Sequence, residues 1–487
     1  MNSLFRRLKF RIQSTMSIPR GNKSEKQVIS IIGTTGVGKS QLSIELARRF
    51  NGEIINADSM QMYHGLDQIT NKHPTEERLG VPHHVMDHVK WEEQYYIHRF
   101  KRECENAMKK CWDDGKIPIL VGGTHYYLQS VLFDNKTIGS NDEVEVDASK
   151  LTKEQKEILN GDSNIIYEKL KEMDPVISQK FHPNDTRRIK RALEVCYVFN
   201  EPASSVYGRQ RETNDSNGTS LKYDTLFFWV YSKLPQLDTR LDSRVDKMMY
   251  NGGLTELGEL YKFYQKEILV GNETVEKMDS GVWQVIGFKE FLPYLNKHGP
   301  DTLIAIDSAV DTKERNEAID KLLMEKEFAQ CCDEMKLKTR RYARKQIKWI
   351  KNLLGPQLKE EEANGFVKFG KIYVLDATNL SLWNEGVGKR GKQICEEFLR
   401  LGYVKQFVDI PDSLNDEKLI IEKSPNKAEN WVHHVCEICT DRETGKPLVY
   451  VGDQWEIHLK SKKHRHNLNR GKRKREYEEW LKKKNVK

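Results

Sequence analysis

The stretch Gly33-Thr-Thr-Gly-Val-Gly-Lys-Ser40 fills every position of the pattern G-x-x-x-x-G-K-[ST]. The apolar run before it, Gln27-Val-Ile-Ser-Ile-Ile32, reads as a buried strand, and Gln41–Phe50 has the composition of a helix. Strand, glycine loop and helix in that order commit a chain to a parallel α/β sheet. The loop works only where backbone N–H groups turn inward around a phosphate chain, at the N-terminus of a helix packed on that sheet. Gly33, Thr34, Thr35, Gly36, Val37, Gly38, Lys39 and Ser40 are therefore the candidate phosphate-binding residues. Lys39 adds a point charge, and Ser40 offers a hydroxyl ligand for Mg2+. The loop does not state whether its phosphate belongs to a nucleotide.

Two further segments read as strands that end at the same edge. Glu53–Asn56 leads into Asp58-Ser59, just past its carboxyl end, where open parallel sheets place their ligands. An Asp there also caps turns, so the residue alone leaves both roles open. Ile117–Val121, after a helix spanning Ile97 to Asp114, ends in Gly122-Gly123-Thr124. Two glycines after a buried strand permit close backbone approach, and Thr124 then faces the same cleft. The economical fold is a doubly wound P-loop sheet.

Apolar residues make up 38% of the 487, which excludes a wholly disordered chain. No run of 18 or more apolar residues exists, which excludes a membrane-spanning helix. Eight irregularly placed cysteines are not a disulfide framework. The net charge of +8 hides a division. Residues 460–487 hold 13 Lys or Arg against 3 Glu, and residues 1–24 hold 6 basic residues and no acid, so the interior is acidic. The start, with Leu4, Phe5, Leu8, Phe10 and Ile12 interleaved with Arg6, Arg7, Lys9 and Arg11, fits a mitochondrial presequence. Initiation at Met16 would remove most of its charge and leave the product in the cytoplasm or nucleus, and fluorescent fusions starting at Met1 and Met16 distinguish the two. The basic stretch Asn467–Lys474 reads as a linker or a nuclear localisation signal.

Cys436, Cys439, His458 and His464 have the spacing C-x2-C-x18-H-x5-H. Two short-spaced pairs of N and S ligands suit tetrahedral Zn2+ at low entropic cost. A strand and turn around Lys446–Gly452 and a helix around Trp455–His466 make the unit a ββα finger. Asp441–Lys446 reads as an insertion in its hairpin, and His466 competes with His464 as fourth ligand. Lys460, Lys462, Lys463 and Arg465 on the same helix point to a nucleic-acid partner.

The P-loop, then Asn56-Ala-Asp-Ser-Met-Gln-Met-Tyr63, then Val121-Gly-Gly-Thr-His-Tyr-Tyr127 together resemble the tRNA dimethylallyltransferases, also called tRNA isopentenyltransferases. His182–Glu194, Asp238–Met248, Gly281–Glu290 and Thr339–Ile350 are similar to later blocks of that family, in order, and the finger is similar to that of its eukaryotic members. The resemblance spans residues 27 to 355 and implies transfer of a dimethylallyl group from dimethylallyl diphosphate to N6 of adenosine 37, beside the anticodon of tRNA. It implies that the P-loop holds a diphosphate, with Mg2+ for catalysis and Zn2+ in the finger. It assigns Asp58 as the base at N6 and Arg244 as a second diphosphate clamp, with Arg240 as the alternative. It places Thr124 by the donor or base, and Ser59, Met60 and Gln61 beside the entering adenine. It implies tRNA contact for Arg187 or Arg188, and for Trp283 and Lys289. A basic run of eight Lys or Arg over Lys336–Lys351 puts Arg340, Arg341, Arg344, Lys345 and Lys348 on an exposed stripe, with Ile347 and Ile350 on the core face.

The implied division is a leader at 1–24, a catalytic core at 25–138 and 223–355, and a helical insertion contacting tRNA at 139–222. A connecting region at 356–430, the finger at 431–470 and a basic tail at 471–487 complete it. Gly139–Asn164 reads as a mobile polar loop, and Arg209–Ser220 as a linker. A monomer is expected. The rival readings are a P-loop small-molecule kinase with an unrelated finger, and a nucleotide-switched nucleic-acid binder. The kinase leaves the basic helix and the finger unexplained, and the switch has no need of Asp58 opposite the P-loop.

Overall fold

Alternation along the strands decides the architecture. In Gln27–Gly33 (β1), Val28 and Ile32 are buried on one side of the sheet, and Ile29 and Ile31 on the other. Both faces are covered, so the strand reads as a continuous apolar run. The computed structural model describes residues 26–134, 150–216, 221–270, 278, 280–363, 368–419, 432–440, 445 and 447–470. The leader, the tail and the start of the polar loop at Gly139 lie outside the described residues.

The remaining strands of the main sheet are Gly52–Asn56 (β2), His83–His84 (β3), Ile117–Val121 (β4), Asp224–Tyr231 (β5) and Gly370–Asp376 (β6). All six are parallel, in the order β3-β2-β4-β1-β5-β6. The chain runs to one side of β1 and then to the other, so the topological switch lies beside β1, at the phosphate loop. β6 falls within the stretch read as a connecting region. It pairs with β5 over seven residues, so the core extends past residue 355.

Lys39–Phe50 (α1) packs its Leu42, Ile44 and Leu46 on one face of the sheet. Ile97–Asp113 (α2) and His125–Leu132 (α3) cover the other, with Phe100, Met108, Leu128 and Val131 buried. The insertion supplies Lys153–Leu159 (α4), Ser163–Met173 (α5), Pro175–Lys180 (α6), Thr186–Phe199 (α7) and Ala203–Ser216 (α8). It has its own apolar core around Leu170, Ile189, Leu193 and Cys196. α8 continues to Ser216, so the first part of the predicted linker at Arg209–Ser220 is helix. Polar composition by itself does not separate a linker from a helix.

Leu234–Tyr250 (α9), Gly253–Tyr264 (α10), Phe288–His298 (α11), Asp301–Asp307 (α12), Thr312–Met324 (α13), Lys326–Trp349 (α14), Gly355–Ala363 (α15) and Arg390–Leu401 (α16) complete the core. His433–Thr440 (β7), Pro447–Val451 (β8) and Gln454–Leu459 (α17) form the finger, with most of the predicted hairpin insertion outside the described residues. The chain divides into two compact units, 1–136 with 219–423 and 137–218 with 424–487. In the second, His182 Nε2 donates to Val449 O at 2.8 Å and His433 Nε2 to Gln179 O at 2.9 Å, so finger and insertion are joined. Among the described residues no helix is long and apolar enough to cross a membrane.

Candidate active site

The loop Gly33–Ser40 turns between β1 and α1 with Gly38 at φ +91°, a conformation that an L side chain resists. Lys39 folds back so that its Nζ donates to Thr34 O at 2.7 Å. Burial pushes its ammonium down to about 8, opposed by Asp58 and assisted by Arg244. The Ser40 hydroxyl stands in the first turn of α1 with no hydrogen bond from the described residues, free to take a ligand.

The turn after β2 is locked by a residue that sequence reasoning passed over. Asn56 accepts the Asp58 N–H at 3.0 Å, and its amide donates to Asp58 O and Val85 O, both at 3.0 Å. Asp58 Oδ1 accepts the Met60 N–H at 3.2 Å, so the capping role is present. The carboxylate is also enclosed. Burial raises its pKa above the ordinary carboxylate value, against Lys39, the Met60 N–H and Arg244, which pull it down. Gly122 has to be glycine because a Cβ there would sit 2.3 Å from the Ala57 carbonyl. That close approach brings Thr124 beside the turn, where its Oγ1 accepts the Ser59 N–H at 3.1 Å and lies 3.3 Å from the Ser59 hydroxyl.

The far wall comes from α9 and α14. Arg244 donates to Thr35 Oγ1 at 2.6 Å, its Nε is buried without a partner, and burial pushes it down to about 10 against the pull of Asp58. Arg240 points elsewhere, to Ala377 O at 2.9 Å and Thr378 O at 2.8 Å, so of the two arginines only Arg244 reaches the loop. Gln346, buried in α14, accepts the Thr35 N–H and donates to Gly123 O, both at 3.0 Å, tying the phosphate loop to the end of β4. Tyr342, one turn earlier, lies 3.5 Å from Gly123 O and is raised by burial and by the nearby Asp58. Neither was singled out from sequence. The signal was there: Thr339, Ala343, Gln346 and Ile350 are buried at helical spacing, and a Gln on such a stripe needs partners.

A model of the IPP transferase family matches residues 61–353. The tRNA dimethylallyltransferase of Saccharomyces cerevisiae is 43% identical over 457 residues, 93% of this chain and 95% of that protein. The human tRNA dimethylallyltransferase is 30% identical over 463 residues, 93% of this chain and 88% of that one. A solved structure described as a eukaryotic dimethylallyltransferase acting on tRNA superposes with a TM-score of 0.70 at 42% identity, covering 94% of this chain and 100% of its own. This chain belongs to the tRNA dimethylallyltransferase family.

In this member of the tRNA dimethylallyltransferase family, the basic surfaces read from sequence are partly spent internally. α14 is read with Arg340 and Arg344 on an exposed stripe. Arg344 is exposed and Arg340 half-buried, and with Lys336 they form a ladder with Asp238, Asp242 and Asp246 of α9, the outer rungs measuring 2.5 and 2.6 Å. Arg341, Lys345 and Lys348 stand exposed on another side, and among the described residues they have no ionic partner. On α7, Arg188 pairs with Asp185 and stacks on Phe181, Lys190 bonds Asn160, and Arg191 pairs with Glu194. Arg187 alone of that run is exposed without a partner among the described residues. Trp283 is a correction: it is buried among Phe263, Tyr264 and Phe288, so its large apolar ring serves the core and not an RNA surface. Lys289, on α11, is exposed. Met60 packs partly on the core, and the Gln61 amide donates to Thr70 O and Asn71 O. The loop beyond them is gathered by Lys72, which donates to Tyr63 O at 2.7 Å and pairs with Asp87.

In the finger, Cys436 Sγ and Cys439 Sγ lie 3.5 and 3.7 Å from His464 Nδ1, and His458 Nε2 lies 3.0 Å from it. A tetrahedron on metal–ligand bonds of about 2.0–2.3 Å has edges of about 3.3–3.8 Å; both Cys–His464 distances match this and the His–His distance is a little shorter, so these four buried residues could hold a metal ion. His466 is exposed and is not part of the group, which leaves His464 as fourth ligand. The single helix expected around Trp455–His466 is two pieces. α17 ends at Leu459 and helix resumes over 462–470, started by Ser461 Oγ accepting the His464 N–H at 3.1 Å. The break turns the two imidazoles toward each other. Asn467 adds an amide to Cys439 Sγ at 3.2 Å.

Proposed function

We propose that the protein transfers a dimethylallyl group from dimethylallyl diphosphate to N6 of adenosine 37 of tRNA, giving N6-isopentenyladenosine and diphosphate. The observation that carries this reading is a carboxylate and two cations enclosed together at a phosphate loop: Asp58, Lys39 and Arg244. As the allylic C–O bond breaks, negative charge grows on the departing diphosphate. The loop amides, Lys39 and Arg244 are already oriented toward it, in a setting where burial strengthens each interaction. As the C–N bond forms, N6 must lose a proton, and Asp58 takes it. A carboxylate raised by burial is a stronger base than one in water. Thr124 and Asn56 hold the turn that aims it. The adenine has to leave its stack to reach so enclosed a group.

Ser40 would hold Mg2+ together with diphosphate oxygens. When bound, that ion neutralises charge on the leaving group. Cys436, Cys439, His458 and His464 would hold Zn2+ as a structural ion that fixes the finger. Arg187, Arg341, Lys345 and Lys348, unspent inside the protein, are the cations best placed for tRNA phosphates. The test is transfer of label from dimethylallyl diphosphate to unmodified tRNA by purified protein with Mg2+. Label in tRNA at adenosine 37 is the expected result. No label, with ATP turnover in its place, overturns the reading.

A further inference from the structure

We infer that the turn at residues 376–383, which follows β6, braces the diphosphate site, and that Trp383 is its positioning residue. The inference rests on the reading that the phosphate loop holds the donor's diphosphate.

β6 runs beside β5 to the register pair Tyr231 and Asp376. The next residue stays anchored, because the Ala377 N–H donates to Tyr231 O at 2.7 Å. Asp376 closes the turn by accepting the Thr378 N–H at 2.9 Å and the Ser413 hydroxyl at 2.6 Å. From this fixed point two contacts reach the two arms of the clamp. The first goes to α9. Arg240 donates to Ala377 O and Thr378 O, and Arg244, which bonds Thr35, stands one helical turn further along. The second goes to the phosphate loop. The Trp383 indole lies flush against Gly38, where a Cβ would meet its ring carbons at 2.6 and 2.7 Å. Its Nε1 donates to Glu45 Oε1 at 2.9 Å, and the other Glu45 oxygen takes Lys392 at 2.8 Å. The ring is therefore wedged between the loop and α1 and cannot slide without breaking that pair.

The consequence is chemical. A glycine-rich loop has many conformations, and only one points its amides inward. Without the wedge, that ordering falls to the donor on binding. A packed indole removes part of that cost beforehand, and it does so for the donor alone. Because the family match ends at residue 353, this brace lies past the matched region.

The experiment uses the full-length protein. Binding of inorganic diphosphate with Mg2+ is measured by calorimetry for wild type, Trp383→Ala and Trp383→Phe, beside KM for both substrates. Trp383→Ala is expected to weaken diphosphate and raise the donor KM about tenfold while the tRNA KM holds, and Trp383→Phe to recover most of the loss. Should Trp383→Ala melt below assay temperature, Trp383→Leu carries the same measurement, since it keeps apolar volume but no ring against Gly38. A variant that binds diphosphate as wild type does, or that moves both KM values alike, overturns the brace. A wild type that transfers label but binds no diphosphate overturns the donor-site reading beneath it.

Discussion

Around the phosphate loop, Lys39 and Arg244 are enclosed, and burial holds their charges down to about 8 and about 10. Along α14, Arg341, Lys345 and Lys348 stand in water. The same residue types serve opposite purposes because the solvent differs. An enclosed cation costs desolvation to keep, and it acts strongly on whatever charge shares its cavity. An exposed one costs nothing to keep, acts weakly, and is screened by salt beyond about 10 Å at ordinary ionic strength. α14 carries both kinds of work. Gln346 and Tyr342 face the site, Lys336, Arg340 and Arg344 fasten the helix to α9, and Arg341, Lys345 and Lys348 remain for a partner.

Among the enclosed groups, Asp58 has the most to lose. Asp58→Asn keeps the shape and removes the base, so single-turnover transfer should fall by about 10²–10⁴-fold with both substrates still bound. An equal loss of tRNA affinity would make the Met60 cap its main role. The pH profile sharpens the same point. Free-enzyme kcat/KM should rise as pH climbs through the raised Asp58 value, because the base must be unprotonated. It should fall again above about 8 as Lys39 loses its proton. Asp58→Asn should erase the acid limb only. Next in size is Arg244→Leu, expected to raise the donor KM roughly ten- to a hundredfold through a lost charged hydrogen bond, with little dependence on salt.

The exposed cations carry smaller effects of a different kind. Arg341→Ala with Lys345→Ala should weaken tRNA binding several-fold and lower the slope of log affinity against log salt by about 2, read by filter binding across a salt series. An unchanged slope would remove this stripe from the interface. The smallest effect belongs to Arg344→Ala. Its pair with Asp238 is partly exposed, so melting stability should drop by no more than about 1 kcal/mol and tRNA affinity should barely move. A tRNA loss as large as that of the double variant would mean that the ladder opens to the substrate.

The phosphate loop, strands β1, β2 and β4, the turn at Asp58 and three of the four finger ligands could be read from the sequence, because each is a short contiguous pattern with its own backbone requirement. Trp283 was misplaced because motif resemblance marks a residue without saying which way it faces. The ion pairs of Arg340 and Arg344 could not be read because their partners, Asp242 and Asp238, lie about a hundred positions away. Ile372–Asp376 of β6 reads as a strand from its apolar run, but its place beside β5 does not show there, and Trp383 acquires meaning only when Gly38 arrives beside it.

By itself, then, the sequence determined the sheet class, the glycine loop, the candidate carboxylate at Asp58 and the Cys and His pairs of the finger, since local conformation and ligand spacing are properties of neighbouring residues. The tertiary structure alone decided which charges are spent and which remain, which of Arg240 and Arg244 reaches the loop, which histidine completes the finger, and what stands behind Gly38. Those depend on which side chains meet across the fold and on how much water is left between them, and neither quantity is written in any short stretch of chain.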